Sequence, residues 1–447
     1  MSTPASPCRI LILGAGFGGL TAAQTLGHLF KNKKLSQEHP IEVTLVNQDN
    51  FFVFTPMLPE AAGGTLEFRH ITYPIRQALQ RLPVIFRRER VLEINLDAKQ
   101  VTTLNEGKDT LAVLPYDILI LGLGSVPNSY NLPGVSEYTF PLKDVSDAIA
   151  LRNQVIDQFE QSVLESDEQR RRELLTFLVA GGGDAGVETV MELRDLIHGA
   201  LLKDYPMIKP DEISLKLVAF ELLPHVEPNL AQYATEQMRR KGIEIMDKTM
   251  ISEVNPRWVQ IKDGPRIPTQ TCVWTAGVKV HPAITKLDCP KDRTGRLLVD
   301  TCSELDGYPN VFALGDCAAQ LDTKTEKPHP QTAQVAVRQA QNLARNVVAR
   351  LKGEPLQPFD FTTLLHIVPL GYQDGVANIL GVRFSGFPAW VVWRSLYLFL
   401  LPDWDNRLRV SLDWTIALFF RKDTSQIKET RSQAAVQRSP EHALLKD

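Results

Sequence analysis

The sequence predicts an α/β protein with two Rossmann-like dinucleotide-binding domains and, after them, a membrane-associating helical region. Three observations predict it. Two stretches, "RILILGAGFGGLTAAQTL" (9–26) and "TFLVAGGGDAGVETVMEL" (176–193), each run an apolar strand into a glycine cluster and then a helix. Each is followed by another apolar strand, "IEVTLV" (41–46) and "ISLKLVAF" (213–220), completing the strand–helix–strand unit of a parallel sheet. The C-terminal quarter then places tryptophans at helical spacing between basic residues. With 447 residues there is room for two or three domains, each with its own core.

In the first loop Gly14, Gly16 and Gly19 fit GxGxxG. Gly14 permits the tight turn, Gly16 lets the backbone approach a pyrophosphate, and Gly19 lets helix and strand pack closely. The phosphates then meet the amide-rich N-terminus of the helix. The next strand should end in an acid for the adenosine ribose. It ends in Asn47, which either contacts a ribose hydroxyl or simply shapes a turn.

The second loop repeats the register with Gly181, Gly183 and Gly186. Asp184 stands where phosphates should arrive, which costs affinity unless its side chain turns away to cap the helix. The nearest ribose acid is Glu221, at the end of the following strand. No Arg or Lys flanks it in sequence, so NADH is expected over NADPH.

Two such loops imply two dinucleotides on one chain, FAD held on the first and NADH visiting the second. A third segment, "YPNVFALGDCAA" (308–319), is a strand ending in Gly315 and Asp316. It resembles the second flavin motif of two-dinucleotide flavoproteins, and that resemblance implies that Asp316 contacts the ribityl–pyrophosphate region of FAD. "YDILILGLGSVPN" (116–128) and "TCVWTAGV" (271–278) resemble the strands that cross between the two domains of such proteins.

The totals exclude other classes. A formal charge of −3 gives no footprint for nucleic acid. Nine scattered histidines, with no HExxH spacing, give no expectation of a metal site. Five cysteines without a CxxC pair suit free thiols in a reducing compartment. The opening "MSTPASPC" is not expected to be a secretory signal, and no run is apolar enough to span a membrane.

The aromatic C-terminal stretch carries one stripe of Trp390, Trp393, Tyr397 and Leu400 and another of Val410, Trp414, Ala417 and Leu418. Arg407, Arg409, Arg421 and Lys422 bracket the second. The expectation is a helix pair lying in the headgroup layer; a core-packing or dimer-forming pair is the alternative.

Over roughly residues 8–423 the chain resembles the type II NADH dehydrogenases, the single-subunit, non-pumping NADH:quinone oxidoreductases with glutathione-reductase-like domains. Four stretches carry the likeness beyond the glycine loops: "FFVFTPMLPEAAGG" (51–64), "GVETVMEL" (186–193), "PHPQTAQVAVRQA" (328–340) and the aromatic C-terminus. The resemblance implies that Pro56 and Glu60 lie where a loop passes the flavin, and that Glu188 acts near the flavin–nicotinamide junction. It also implies that Ala333, Gln334 and Ala336 belong to an AQxAxQ quinone site. Each has a plainer reading as well: a turn for Pro56, a favourable helix-start carboxylate for Glu188, helix surface for Gln334. The second glutamine of AQxAxQ is Arg338 here, which puts the quinone head-group contacts in question.

The expected organisation is an FAD-binding domain of residues 1–150 and 301–360, an NADH-binding domain of 151–300 between them, a quinone and membrane region of 361–423, and a polar, disordered tail of 424–447. The charged stretch "QSVLESDEQRRREL" (161–174) reads as a solvated helix face. The implied reaction is hydride transfer from NADH to FAD and two-electron transfer to a membrane quinone, at the cytoplasmic face of a membrane. A homodimer is compatible with the sequence. A disulfide or sulfide:quinone oxidoreductase would need a cysteine pair in the gap between Cys8 and Cys272. A reductase for a biosynthetic quinone and a low-turnover redox sensor stay open.

Overall fold

The computed structural model describes residues 7–31, 40–361 and 365–427. The chain begins with β1 (Cys8–Leu13), α1 (Phe17–Lys31), β2 (Ile41–Asn47), a short α2 (Leu58–Ala62), β3 (Val84–Arg88) and β4 (Ile118–Leu121). It continues through β5 (Phe140–Pro141), α3 (Val145–Leu164), β6 (Thr176–Ala180), α4 (Asp184–Leu196), β7 (Ser214–Val218), α5 (Pro228–Arg240), β8 (Ile243–Met246) and β9 (Thr271–Trp274). The last part holds β10 (Val311–Ala313), α6 (Ala333–Lys352), β11 (Leu365–Pro369), β12 (Gly375–Ile379), β13 (Val382–Ser385), α7 (Phe387–Leu400) and α8 (Trp404–Phe419).

Two five-stranded parallel sheets form the frame, in the orders β10-β4-β1-β2-β3 and β5-β9-β6-β7-β8. Their strands are apolar runs because both faces are covered, one by helices and the other by a three-stranded antiparallel sheet, 90–115 on the first and 251–268 on the second: every residue of β6 and β9 is buried. β10 returns to the first sheet after the whole second sheet has been made. The second sheet also takes in Phe140 and Pro141, ahead of a boundary at residue 150.

The stretch 161–174 is not one solvated face. α3 ends at Leu164, and a new helix, Glu168–Leu174, starts at Asp167, whose side chain caps it. Glu173 is buried and takes Arg257 at 2.8 Å and Gln270 at 2.8 Å, so part of the charge is internal. The C-terminal region opens with an antiparallel sheet, β11-β12-β13, where the sequence reading had only helices. Thr424 to Ile427 lie against the body, with Ile427 N–H donating to Asn153 Oδ1 at 2.9 Å. The remainder of the tail expected to be disordered, 428–447, lies outside the described residues.

α7 and α8 correct the expected stripes. Trp390, Trp393, Val410 and Trp414 are buried, and Trp393, 1% exposed, stacks on Tyr397 at 4.8 Å. These aromatics pack inward, whereas Leu400 and Leu418 of the same stripes are exposed. The exposed apolar line on α8 is Trp404, Leu408, Leu412, Ile416 and Phe419, spaced by four, four, four and three residues. Among the described residues no helix is long and apolar enough to cross a membrane.

Candidate active site

The two glycine loops are built alike. Gly14 has φ +90°, and a Cβ there would lie 2.4 Å from Gly122 O at the end of β4; one on Gly19 would lie 1.8 Å from Gly14 O. Gly181 has φ +123°, and a Cβ on Gly186 would lie 1.9 Å from Gly181 O. Only glycine fits there. Gly16 and Gly183 differ, because a Cβ on either meets nothing within 4 Å. The space before the first amides of α1 and α4 is therefore open to a ligand, the arrangement that receives a pyrophosphate.

A cleft of about 420 Å³ runs from the first loop to the turn at Gly315 and Asp316, past Asn47 and Lys143. Gly315 has φ +67°, and its N–H donates to Gln339 Oε1 at 2.8 Å. Asp316 Oδ2 accepts from Ser125 Oγ at 2.5 Å, and Lys143 Nζ stands 3.0 Å from that hydroxyl and 3.7 Å from the carboxylate. Asn47 braces the loop itself, accepting from Ala15 N–H at 2.9 Å and donating to Asp49 O at 3.0 Å. Pro56 sits in a single 3₁₀ turn, Thr55–Met57, whose Thr55 lines the cleft. Open glycines, a cleft joining two motifs and a cation at its far turn fit FAD. Sequence reasoning missed Ser125, Lys143 and Gln339. Ser125 lies in the stretch singled out as a crossover strand, whereas Lys143 and Gln339 carry no local signal.

Behind this cleft α2 packs on α4, bringing Glu60 toward Glu188 and Glu192. Glu188 is half-buried, and its carboxyl is held well above the usual range, first by burial and then by repulsion from Asp184, Glu60 and Glu192. Burial also pushes Glu60 up, to about 7, with Arg394 the main opposing influence. Trp414 Nε1 donates to Glu60 Oε2 at 3.0 Å, and an Arg394 nitrogen lies 3.5 Å from Oε1. That guanidinium also lies over the rings of Trp390 and Trp414, at 4.1 and 4.7 Å. Glu192 accepts from Thr65 at 2.9 Å and Lys422 at 3.2 Å. The inward-facing tryptophans thus close over a carboxylate cluster beside the flavin loop. Tyr397, its phenol pushed up by burial, faces Phe54 at 6.0 Å.

In the second loop Asp184 does not cap α4. Gly183 is the N-cap, and Asp184 Oδ2 meets His366 Nε2 at 2.9 Å. Glu221 lies beside the loop, where its carbonyl would stand 2.1 Å from a Cβ on Gly182. It lines a hollow of about 420 Å³ together with Arg239 of α5 and Lys248. Basic residues absent from the flanking sequence thus line the hollow, together with the further acids Glu236 and Asp247.

α6 starts at Thr332, whose hydroxyl accepts from Val335 N–H at 3.3 Å. Ala333 and Ala336 line the flavin cleft, and Gln334 is half-buried in the same turn. Arg338 is exposed, 3.5 Å from Gln341, while Gln339, the next residue, is buried and holds Gly315.

Known proteins resemble this chain in sequence and in fold. Residues 8–340 match the model of the family described as pyridine nucleotide-disulphide oxidoreductase. A probable NADH dehydrogenase of Dictyostelium discoideum is 31% identical, over 93% of this chain and 91% of that one. The type II NADH:quinone oxidoreductase of Staphylococcus aureus is 30% identical, over 85% and 91%. NDH2 from Plasmodium falciparum, solved in complex with NADH, superposes with a TM-score of 0.86 at 21% identity, over 95% of this chain and 100% of that one. The chain belongs to the pyridine nucleotide-disulphide oxidoreductase family and, within it, to the type II NADH:quinone oxidoreductases.

Proposed function

We propose that this chain oxidises NADH and reduces a membrane quinone, with FAD held between the first glycine loop and the Gly315–Asp316 turn. The observation that carries the reading is the matched pair of loops, each closed by two glycines and left open at the third. Bound FAD supplies the redox chemistry, accepting a hydride from NADH and giving two electrons to the quinone. Gly14, Gly16 and Gly19 with Gly315, Asp316, Asn47 and Pro56 hold the flavin in this reading; Gly181, Gly183, Gly186 and Glu221 receive NADH. Ala333, Gln334 and Ala336 face the quinone. Glu188, whose surroundings favour the protonated carboxyl, is the proposed catalytic acid. Residues 1–150 with 301–360 form the flavin domain, except that Phe140 and Pro141 join the sheet of the NADH domain, 151–300; residues 361–423 form the quinone region.

The exposed α8 line and the exposed Phe387, Val391 and Phe399 of α7 support attachment to a membrane surface. The cytoplasmic face is the proposed side, and a second copy of the chain is the competing cover. Thiol chemistry finds no support, since burial pushes Cys272 up to about 12 and Cys317 up to about 11. The test is NADH oxidation by the yellow holoprotein with menaquinone, plastoquinone and ubiquinone analogues. Turnover with at least one is expected, and no turnover with any sinks the reading.

A further inference from the structure

His366, in β11, comes from the C-terminal region to the mouth of the second glycine loop. Its Nε2 lies 2.9 Å from Asp184 Oδ2 and its Nδ1 lies 3.2 Å from the carbonyl oxygen of His225. A carboxylate and a carbonyl both accept and neither donates, so both ring nitrogens must carry hydrogen. With both hydrogen bonds made, the ring is an imidazolium. Asp184 is the first residue of α4, where the helix presents its amides, and its carboxylate is the one anion placed on that turn.

We infer that His366 is a positioning residue for the nicotinamide dinucleotide: its cation draws the Asp184 carboxylate aside and cancels its charge where the diphosphate arrives. The inference rests on reading the second loop as the NADH site. It adds a partner from outside the dinucleotide domain, so that the C-terminal sheet tunes a site it does not form.

The consequence is a pH dependence of nucleotide affinity. Pairing with Asp184 raises His366 above the usual histidine range, against burial, with smaller help from the His225 carbonyl and Glu227. Among the described residues, these charged and titratable groups lie around the ring. α4 brings Asp184, with Glu188 one turn further. The segment before α5 brings the His225 carbonyl and Glu227, and β13 brings Arg383, 3.9 Å from Glu227. Below the raised value the imidazolium persists. As pH rises through it the proton leaves, Asp184 regains an unmatched charge, and the diphosphate binds less tightly.

The experiment titrates FAD-loaded full-length protein with NAD+, which carries the same diphosphate and leaves the flavin oxidised. The wild-type dissociation constant should rise about five-fold from acid to alkaline pH, the factor one unmatched charge about 4 Å away makes in water. His366→Gln should bind at every pH as the wild type does at high pH. Asp184→Asn should bind tightly throughout, with or without His366→Gln. In turnover, KM for NADH should follow these constants while kcat at saturating NADH stays level. A His366→Gln protein that keeps the wild-type pH curve, or an Asp184→Asn protein that keeps it, overturns the inference. No NAD+ binding at any pH overturns it together with the reading of the second loop. The expected NAD+ profile without quinone reduction leaves it standing and removes the proposed function alone.

Discussion

Gly16 and Gly19 stand three residues apart and should fail differently when substituted. A side chain at Gly16 enters open cleft, so Gly16→Val should leave a folded protein, normal by far-UV circular dichroism, but colourless. A Cβ at Gly19 lands 1.8 Å from a backbone oxygen, so Gly19→Val should not accumulate as soluble protein. Full flavin in the first variant would misplace the pyrophosphate. Glu221 is the second case. Its carboxylate repels a 2′-phosphate, but Arg239 and Lys248 line the same hollow. Glu221→Gln should therefore move the NADH:NADPH ratio of kcat/KM toward NADPH by about ten-fold or less, within the scale of one charged hydrogen bond. An unchanged ratio would remove Glu221 from the ribose site. The glycine pattern could be read from sequence because each spacing answers a local steric need. Arg239 and Lys248 could not, since only the fold brings them to the hollow that Glu221 lines.

Periodicity in α7 and α8 marked an apolar face but not what it packs against. Tryptophan between basic residues fits a lipid surface as well as a core, and here Trp393 and Trp414 are core. The line that does face outward, Trp404 to Phe419, interleaves with it on the same helix. Leu408→Glu with Leu412→Glu should abolish sedimentation with anionic liposomes while leaving flavin content and turnover of a water-soluble quinone unchanged. Unaltered sedimentation would remove this line as the anchor. Trp393→Ala, in contrast, should cost about 3–5 kcal/mol of stability. Glu60 makes the helix pair sensitive to pH. Its carboxyl is raised from the usual 4.5 to about 7 in the folded chain, so between those values the folded state holds a proton the unfolded state has released. The Glu60 contribution to stability should fall as pH rises through that window and level off above it. Glu60→Gln should flatten this slope in thermal unfolding, and a slope equal to wild type would assign the titration to another group.

Two glycine loops 167 residues apart made the doubled architecture readable from sequence, and the third motif told that the first domain resumes after the second. What sequence could not supply is where the halves touch. Glu60 belongs to the first half, Glu188 and Glu192 to the second, and Arg394 and Trp414 to the C-terminal pair, yet they form one cluster. Their pairing depends on α2 and α4 meeting, which no local pattern encodes. That meeting decides what Glu188 is for. A carboxylate near the start of a helix needs no further role when it is exposed and charged. Glu188 is half-buried among three other acids, and burial and their repulsion both favour its protonated form. If that proton serves quinone reduction, Glu188→Gln should leave the protein yellow and its reduction by NADH within about two-fold of wild type. Reoxidation by quinone should slow by roughly 100-fold, the lower end of general acid catalysis. Stopped-flow absorbance at the flavin band separates the two half-reactions. Reoxidation at the wild-type rate would return Glu188 to the helix, and slowed reduction with normal reoxidation would place it on the nicotinamide side instead.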